Sequence, residues 1–207
     1  MKQQLVARAF RILTGVLLGL AVILWVFRSG PPPTAQDDAG YFLTDPIPAP
    51  PFSLLAHTGE RISRDQIDTD LVMVFFGYTS CPDVCPLTLS HLTQALQEMG
   101  SEGEDRVQVL LITVDPQRDT PERLQKYLGA FHPSFLGLTG SEEEIREVAD
   151  AFGAFFARSG EGPDYTVDHT ARTFVLDSSG HIPLTFPVTA TAGEISRDLS
   201  LLLDEGR

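Results

Sequence analysis

Two short stretches of this chain are apolar at nearly every position: Leu71–Gly77 reads LVMVFFG and residues 107–114 read VQVLLITV. Side chains of a strand alternate between its two faces, so a strand apolar at every position has to be covered on both. Runs of seven or eight residues rich in Val, Ile and Phe are too short for core helices and fit buried strands. Between them Leu89, Leu92, Leu96 and Met99 recur at steps of 3, 4 and 3, with Pro86 suited to the first helical position and Gly100 to the end. Strand, helix, strand is the order of a sheet with helices on its faces, which excludes an all-helical bundle and an all-β sandwich.

The remaining segments extend that pattern. Phe52, Leu54 and Ile62 bracket Thr58-Gly59, which predicts a small N-terminal hairpin across residues 48–63. Thr120-Pro121 opens a helix expected to run to Phe131, and a short strand is expected at residues 135–138. Ser141 with Glu144, and Thr191 with Glu194, form capping boxes ahead of Ile145/Val148/Phe152 and Ile195/Leu199/Leu202, giving two further helices. Between them lie two strands, at residues 172–177 and 181–186, joined by Ser178-Ser179-Gly180. The expected architecture is an α/β sandwich with a mixed sheet, and no internal repeat is present.

Residues 12–27 (ILTGVLLGLAVILWVF) contain no charge and are bounded by Arg11 and Arg28. At helical rise they cover about 24 Å of a hydrocarbon core about 30 Å thick, and snorkelling arginines and an interfacial Trp25 make up the shortfall. The reading is a transmembrane signal anchor over residues 1–28. A cleaved signal is the alternative, although its apolar core would be shorter and Phe27-Arg28-Ser29-Gly30 before three prolines offers no small-x-small cleavage site. Lys2, Arg8 and Arg11 outweigh Arg28, so the N-terminus stays inside and the rest is exported. The leader lacks the amphipathic, Arg/Ser-rich character of organelle import, which favours a bacterial inner membrane facing the periplasm. Residues 29–46 have the composition of a tether, and the folded domain is expected over residues 47–207. Residues 29–207 hold 11 basic against 28 acidic side chains, a net charge near −17, which excludes binding to nucleic acid phosphates.

The chain has two cysteines, Cys81 and Cys85, just after the first buried run. Two cannot form a disulfide scaffold, and a disulfide closing so small a loop contributes only about 2 kcal/mol. Redox or metal chemistry is the stronger reading in an oxidising compartment, with a passive staple as the alternative. Pro86 at the first helical position would put Cys85 at the N-cap, where the positive end of the helix dipole favours its thiolate and Asp83 weakly opposes it. The pair is not the Trp-preceded C-x-x-C of ordinary oxidoreductases, nor does it match the Thr-x-x-Cys of peroxidases.

Residues 76–86 (FGYTSCPDVCP), 114–121 (VDPQRDTP) and 167–170 (VDHT), in that order, resemble the Sco/SenC family of copper-binding cytochrome c oxidase assembly proteins; the resemblance covers roughly residues 45–190. It implies a membrane-tethered, thioredoxin-like α/β domain that binds copper through Cys81, Cys85 and His169. Two thiolates and an imidazole make a soft, low-coordinate set that suits Cu(I), and the imidazole helps retain Cu(II); zinc would want a fourth ligand. The implied partners are the copper-site subunit of a haem-copper oxidase and a periplasmic copper donor. The alternative is a thiol-disulfide reductase that keeps the oxidase's copper-ligand cysteines reduced. Without the resemblance His169 reads as a loop histidine bonded to a carbonyl, and Asp115 and Arg118 as a strand-end turn with a surface ion pair. His57, His91, His132 and His181 read as surface or packing residues, and Met73 and Met99 as core.

Overall fold

The computed structural model describes residues 40–206. Ten strands and four α-helices occur among the described residues: β1 Tyr41–Pro48, β2 Ser53–Ala56, β3 Arg61–Ser63, β4 Leu71–Gly77, α1 Val84–Glu104, β5 Val107–Thr113, α2 Pro121–Leu128, β6 Leu136–Thr139, α3 Glu142–Ala151, β7 Phe156–Ser159, β8 Thr166–His169, β9 Arg172–Asp177, β10 His181–Pro187 and α4 Ala192–Asp204. Eight strands form one mixed sheet in the order β1-β10-β9-β4-β5-β6-β2-β3, and β7 and β8 form a separate antiparallel hairpin. The expected N-terminal hairpin is β2 and β3, paired Ser53↔Ser63 and Leu54↔Ile62.

The two apolar runs are the centre of that sheet. β4 and β5 pair in parallel from Leu71↔Val107 to Gly77↔Thr113, and every residue of β4 is buried. Parallel neighbours need a long crossover, which α1 supplies. Phe75 and Phe76 are 1% exposed, and burying each contributes about 1.5–3 kcal/mol. β9 runs antiparallel on the other side of β4, Phe75 opposite Thr173. The C-terminal end of β4 and the N-terminal end of β9 therefore lie at one edge of the fold, which decides where loops meet.

Local signals set the helix starts. Ser141 and Thr191 cap α3 and α4 through capping boxes with Glu144 and Glu194, and Thr120 caps α2 with Pro121 behind it. Gly100, at φ +72°, breaks the helical path of α1 where the sequence placed its end, and one more turn follows. α2 stops at Leu128, three residues short of the expected Phe131, and the chain tightens: Phe131 N–H donates to Leu128 O at 2.9 Å.

Two features depart from the sequence reading. β1 begins at Tyr41, inside the segment read as tether, and pairs with β10 as Tyr41↔Thr185 and Ile47↔Ile182. An edge strand tolerates Pro46 and Pro48 because its outer N–H groups face no partner. The β7–β8 hairpin was not expected at all. No helix among the described residues is long and apolar enough to cross a membrane; the span expected at residues 12–27 lies outside them, as does most of the tether.

Candidate metal centre

β4 ends at Gly77 and delivers the chain into the cysteine loop. A Cβ on Gly77 would lie 2.7 Å from Phe75 Cε1 and 3.0 Å from Cys85 Sγ, so glycine is what allows Cys85 to pack against the strand end. Both cysteines are free thiols. Cys85 is fully buried and Cys81 partly so.

The helix begins two residues earlier than Pro86 predicts. Asp83 is the N-cap, so Cys85 is the second helical residue and Pro86 the third. Proline fits there because the first four N–H groups of a helix have no intrahelical partner in any case. The consequence for the sulfurs inverts the expectation: Cys85 N–H points at Cys81 Sγ, 3.4 Å away, so the positive end of the helix faces Cys81. Burial pushes the Cys85 thiol well above its ordinary value, the neighbouring Cys81 adds to the rise, and a hydrogen bond with the Tyr78 backbone offsets only part of it. In the apo protein Cys85 is a protonated, enclosed thiol, and Cys81 is the accessible one.

His169 reaches this loop from 84 residues away. It is the last residue of β8, and its Nε2 lies 3.6 Å from Cys85 Sγ. Its Nδ1 is 3.0 Å from Val167 O. A carbonyl only accepts, so Nδ1 carries the proton and Nε2 turns its lone pair toward the sulfur. Phe75 and Tyr78 meet the imidazole edge-on, at 6.4 and 5.6 Å between centroids. Burial lowers the His169 pKa, which keeps the ring neutral, and the hydrogen bond to Val167 opposes this weakly.

Cys81, Cys85 and His169 thus meet in one chain of contacts with Cys85 in the middle. Among the described residues no three His, Cys, Asp or Glu side chains are grouped so that they could hold a metal ion as they stand. Together Cys81, Cys85 and His169 offer the chemistry a soft, low-coordinate ion requires, two sulfurs and a neutral imidazole nitrogen, with Cys81 partly exposed.

Two buried carboxylates hold these pieces in place, and the sequence reading missed one of them. Asp119, fully buried, accepts from Thr79 N–H at 3.0 Å, Thr79 Oγ1 at 2.5 Å and Thr113 Oγ1 at 2.7 Å, tying the cysteine loop to the end of β5. Arg123 adds a second strap from α2, donating to Thr79 Oγ1 at 2.7 Å and Ser80 Oγ at 2.9 Å. Asp115 is 3% exposed and pairs with Arg118, whose side chain is 20% exposed; the turn and ion pair, one of the two readings of these residues, are present, with the carboxylate buried. Tyr165, on the approach to β8, donates its hydroxyl to Asp115 Oδ1 at 2.6 Å, and Arg118 Nη1 donates to Tyr165 O at 3.0 Å. The Tyr165 ring lies between the guanidiniums of Arg118 and Arg158, 3.6 and 3.7 Å from its centroid. Val167 N–H donates to Tyr78 OH at 3.3 Å. The hairpin that bears His169 is therefore fastened to both the β5 end and the cysteine loop.

The other histidines have structural partners. His57 Nδ1 accepts from Gly137 N–H, His91 Nδ1 meets Ala190 O, His132 faces Glu104 and Ser134, and His181 meets Ser179. Met73 is fully buried and Met99 packs against the core.

The sequence model of the SCO1/SenC family matches residues 44–204. The chain belongs to the SCO1/SenC family. It is 40% identical over 132 residues to a SCO2-like protein of Rickettsia conorii, an alignment covering 62% of this chain and 64% of that one. Among solved structures, apo Sco1 of Thermus thermophilus superposes with a TM-score of 0.73 at 41% identity, over 80% of this chain and 96% of that one. ScoI of Bradyrhizobium japonicum with copper bound gives a TM-score of 0.68 at 35% identity, over 75% and 98%. The fold is thus the thioredoxin-like α/β fold of the family, a mixed sheet with four helices.

Proposed function

We propose that this chain is a membrane-tethered copper chaperone that binds copper through Cys81, Cys85 and His169 and assists assembly of the binuclear copper site of cytochrome c oxidase. The observation that carries the reading is the His169 imidazole, with Nδ1 fixed on Val167 O and Nε2 at 3.6 Å from Cys85 Sγ. A histidine held in that tautomer beside a buried sulfur offers a lone pair where disulfide chemistry needs none. Kinship with a Sco protein that binds copper, and with a family named for cytochrome c oxidase assembly, supports the same reading. Copper is the cargo. Cys81 is the sulfur it meets first, Cys85 surrenders its proton on binding, and Phe75 and Tyr78 keep water from the imidazole. The apolar run at residues 12–27 supports a signal anchor in a bacterial inner membrane with the domain in the periplasm, where a copper donor would load it and the oxidase's copper-site subunit would receive the ion.

A second reading, a thiol-disulfide reductase, draws on the exposure of Cys81 and the helix N–H aimed at its sulfur. Its thiolate would attack a partner disulfide and release one partner thiolate. Cys85 would then attack Cys81, releasing the second thiolate and leaving a Cys81–Cys85 disulfide that an external dithiol must reduce.

Titration of the reduced chain with Cu(I) under anaerobic conditions tests the chaperone reading. One copper per chain is expected, with none bound by the oxidised protein, because a disulfide offers no thiolate. Equal uptake by the parent and the Cys81→Ser/Cys85→Ser variant would reject it.

A further inference from the structure

An open groove of about 760 Å³ runs along α2 beside the cysteine loop, with Arg123, Lys126, Tyr127, Ala130 and Phe131 on its walls and Glu122 as its one acid. We propose that it is the docking site for an acidic segment, carrying an apolar side chain, on the copper-site protein that receives the metal. This inference rests on the chaperone reading.

Charge supports that occupant. Residues 29–207 are strongly acidic, yet the groove presents two cations, and Lys126 is the single lysine among the described residues. Lys126 is exposed and makes no ion pair there, so its charge is open to a partner; Arg123 is already tied to Asp119 at 3.8 Å. An acidic segment is repelled by the rest of the surface and drawn to this face, and such patterning acts through orientation and association rate.

The groove is also joined to the site. The Tyr127 ring forms part of its wall, packed edge-on against Phe131 at 5.2 Å. The Tyr127 hydroxyl is buried with no hydrogen-bond partner, within electrostatic reach of Cys85, Cys81 and Asp119. Arg123 straps the opposite side to Thr79 and Ser80, the residues that lead into Cys81. A segment lying in the groove therefore rests against Tyr127 and against Arg123 and Thr79, which hold the loop leading into the accessible cysteine.

The probe is the soluble copper-site domain of a haem-copper oxidase from the same cell, added to the full chain in detergent. Carbodiimide should couple Lys126 to a carboxylate of that domain. At low ionic strength Lys126→Gln should weaken binding about two- to five-fold, as expected for one rim charge. Ala130→Trp, which puts a bulky ring into the groove, should weaken it more than about ten-fold, while Gln94→Glu on an exposed face of α1, an equal change of charge, should leave it unaltered. Copper loading of each variant serves as the fold control and should match the parent. No cross-link through Lys126, coupling through Lys2 alone, or equal affinity across the variants overturns the docking site. A parent that takes up no copper defeats the chaperone reading instead, and the cross-link remains readable.

Discussion

Tyr165→Phe removes one oxygen and tests whether the His169 hairpin is held from the β5 end. The hydroxyl donates to Asp115 Oδ1 at 2.6 Å, and Asp115 is 3% exposed. A hydrogen bond to a charged group contributes about 1.5–3 kcal/mol. Arg118 still pairs with Asp115 in the variant, so no unpaired charge is left and the loss belongs at the lower end, about 1.5–2 kcal/mol. The aromatic ring and its two guanidinium neighbours remain. For a domain of this size about 2–4 °C of Tm accompanies each kcal/mol, so the apo protein should melt roughly 3–8 °C lower. Since His169 lies four residues further along the same hairpin, Cu(II) affinity should fall and Cu(I) affinity fall less. Calorimetry with parallel Cu(II) and Cu(I) competition titrations is the assay. An unchanged Tm would refute the link through Asp115, and an equal loss for both oxidation states would refute its coupling to the histidine.

Alkylation of the reduced apo protein near pH 8, followed by peptide mapping, should modify Cys81 well before Cys85, because Cys85 is enclosed and burial holds its thiol protonated; faster reaction at Cys85 would contradict this. Gly77→Ala should destabilise the fold by about 1–3 kcal/mol, since the added Cβ meets Phe75 and Cys85, and a denaturant midpoint equal to the parent's would show that the loop yields freely. Burial lowers the His169 pKa, so the unfolded chain binds its proton more readily and stability is lost as pH falls below the ordinary value of 6.5. His57 shifts in the same direction, so the comparison is with His169→Gln: the parent should lose more stability than the variant between pH 7.5 and 5, and identical losses would mean that His169 is not buried as described.

What was legible in the sequence was local. The continuous apolar character of β4 and β5 declares strands buried on both faces, and Ser141/Glu144 and Thr191/Glu194 mark helix starts through bonds spanning three residues. The nearness of Cys81 to Cys85 follows from their spacing alone. The Cys85 position was read two residues off because proline is tolerated throughout the first helical turn, so Pro86 could not by itself fix the N-cap. Electrostatics at the pair then went the wrong way, since burial at the Gly77 close approach is a tertiary fact. β7 and β8 are four-residue strands with Arg158, Ser159, Thr166 and Asp168 among them, so they lack the apolar pattern that marks β4. Asp119 sits in the quoted 114–121 block, but its donors come from Thr79 and Thr113, and nothing short of the fold reveals that they converge. His169 was singled out only through the family resemblance; periodicity gives no reason to prefer it to His57 or His181.

Whether His169 is a copper ligand is tested most directly by a paired measurement on one His169→Ala sample: Cu(II) affinity and the rate of exchange with a small disulfide. Disturbing residues behind a metal ligand costs about 10–100-fold in affinity, so losing the ligand itself should weaken Cu(II) by at least about 100-fold. The Cu(I) complex, which two thiolates can satisfy, should be affected less. The exchange rate should hold, since Cys81 and the helix N–H that faces it are untouched. Unchanged Cu(II) affinity with a slowed exchange would contradict the three-ligand site and assign the histidine to thiol chemistry.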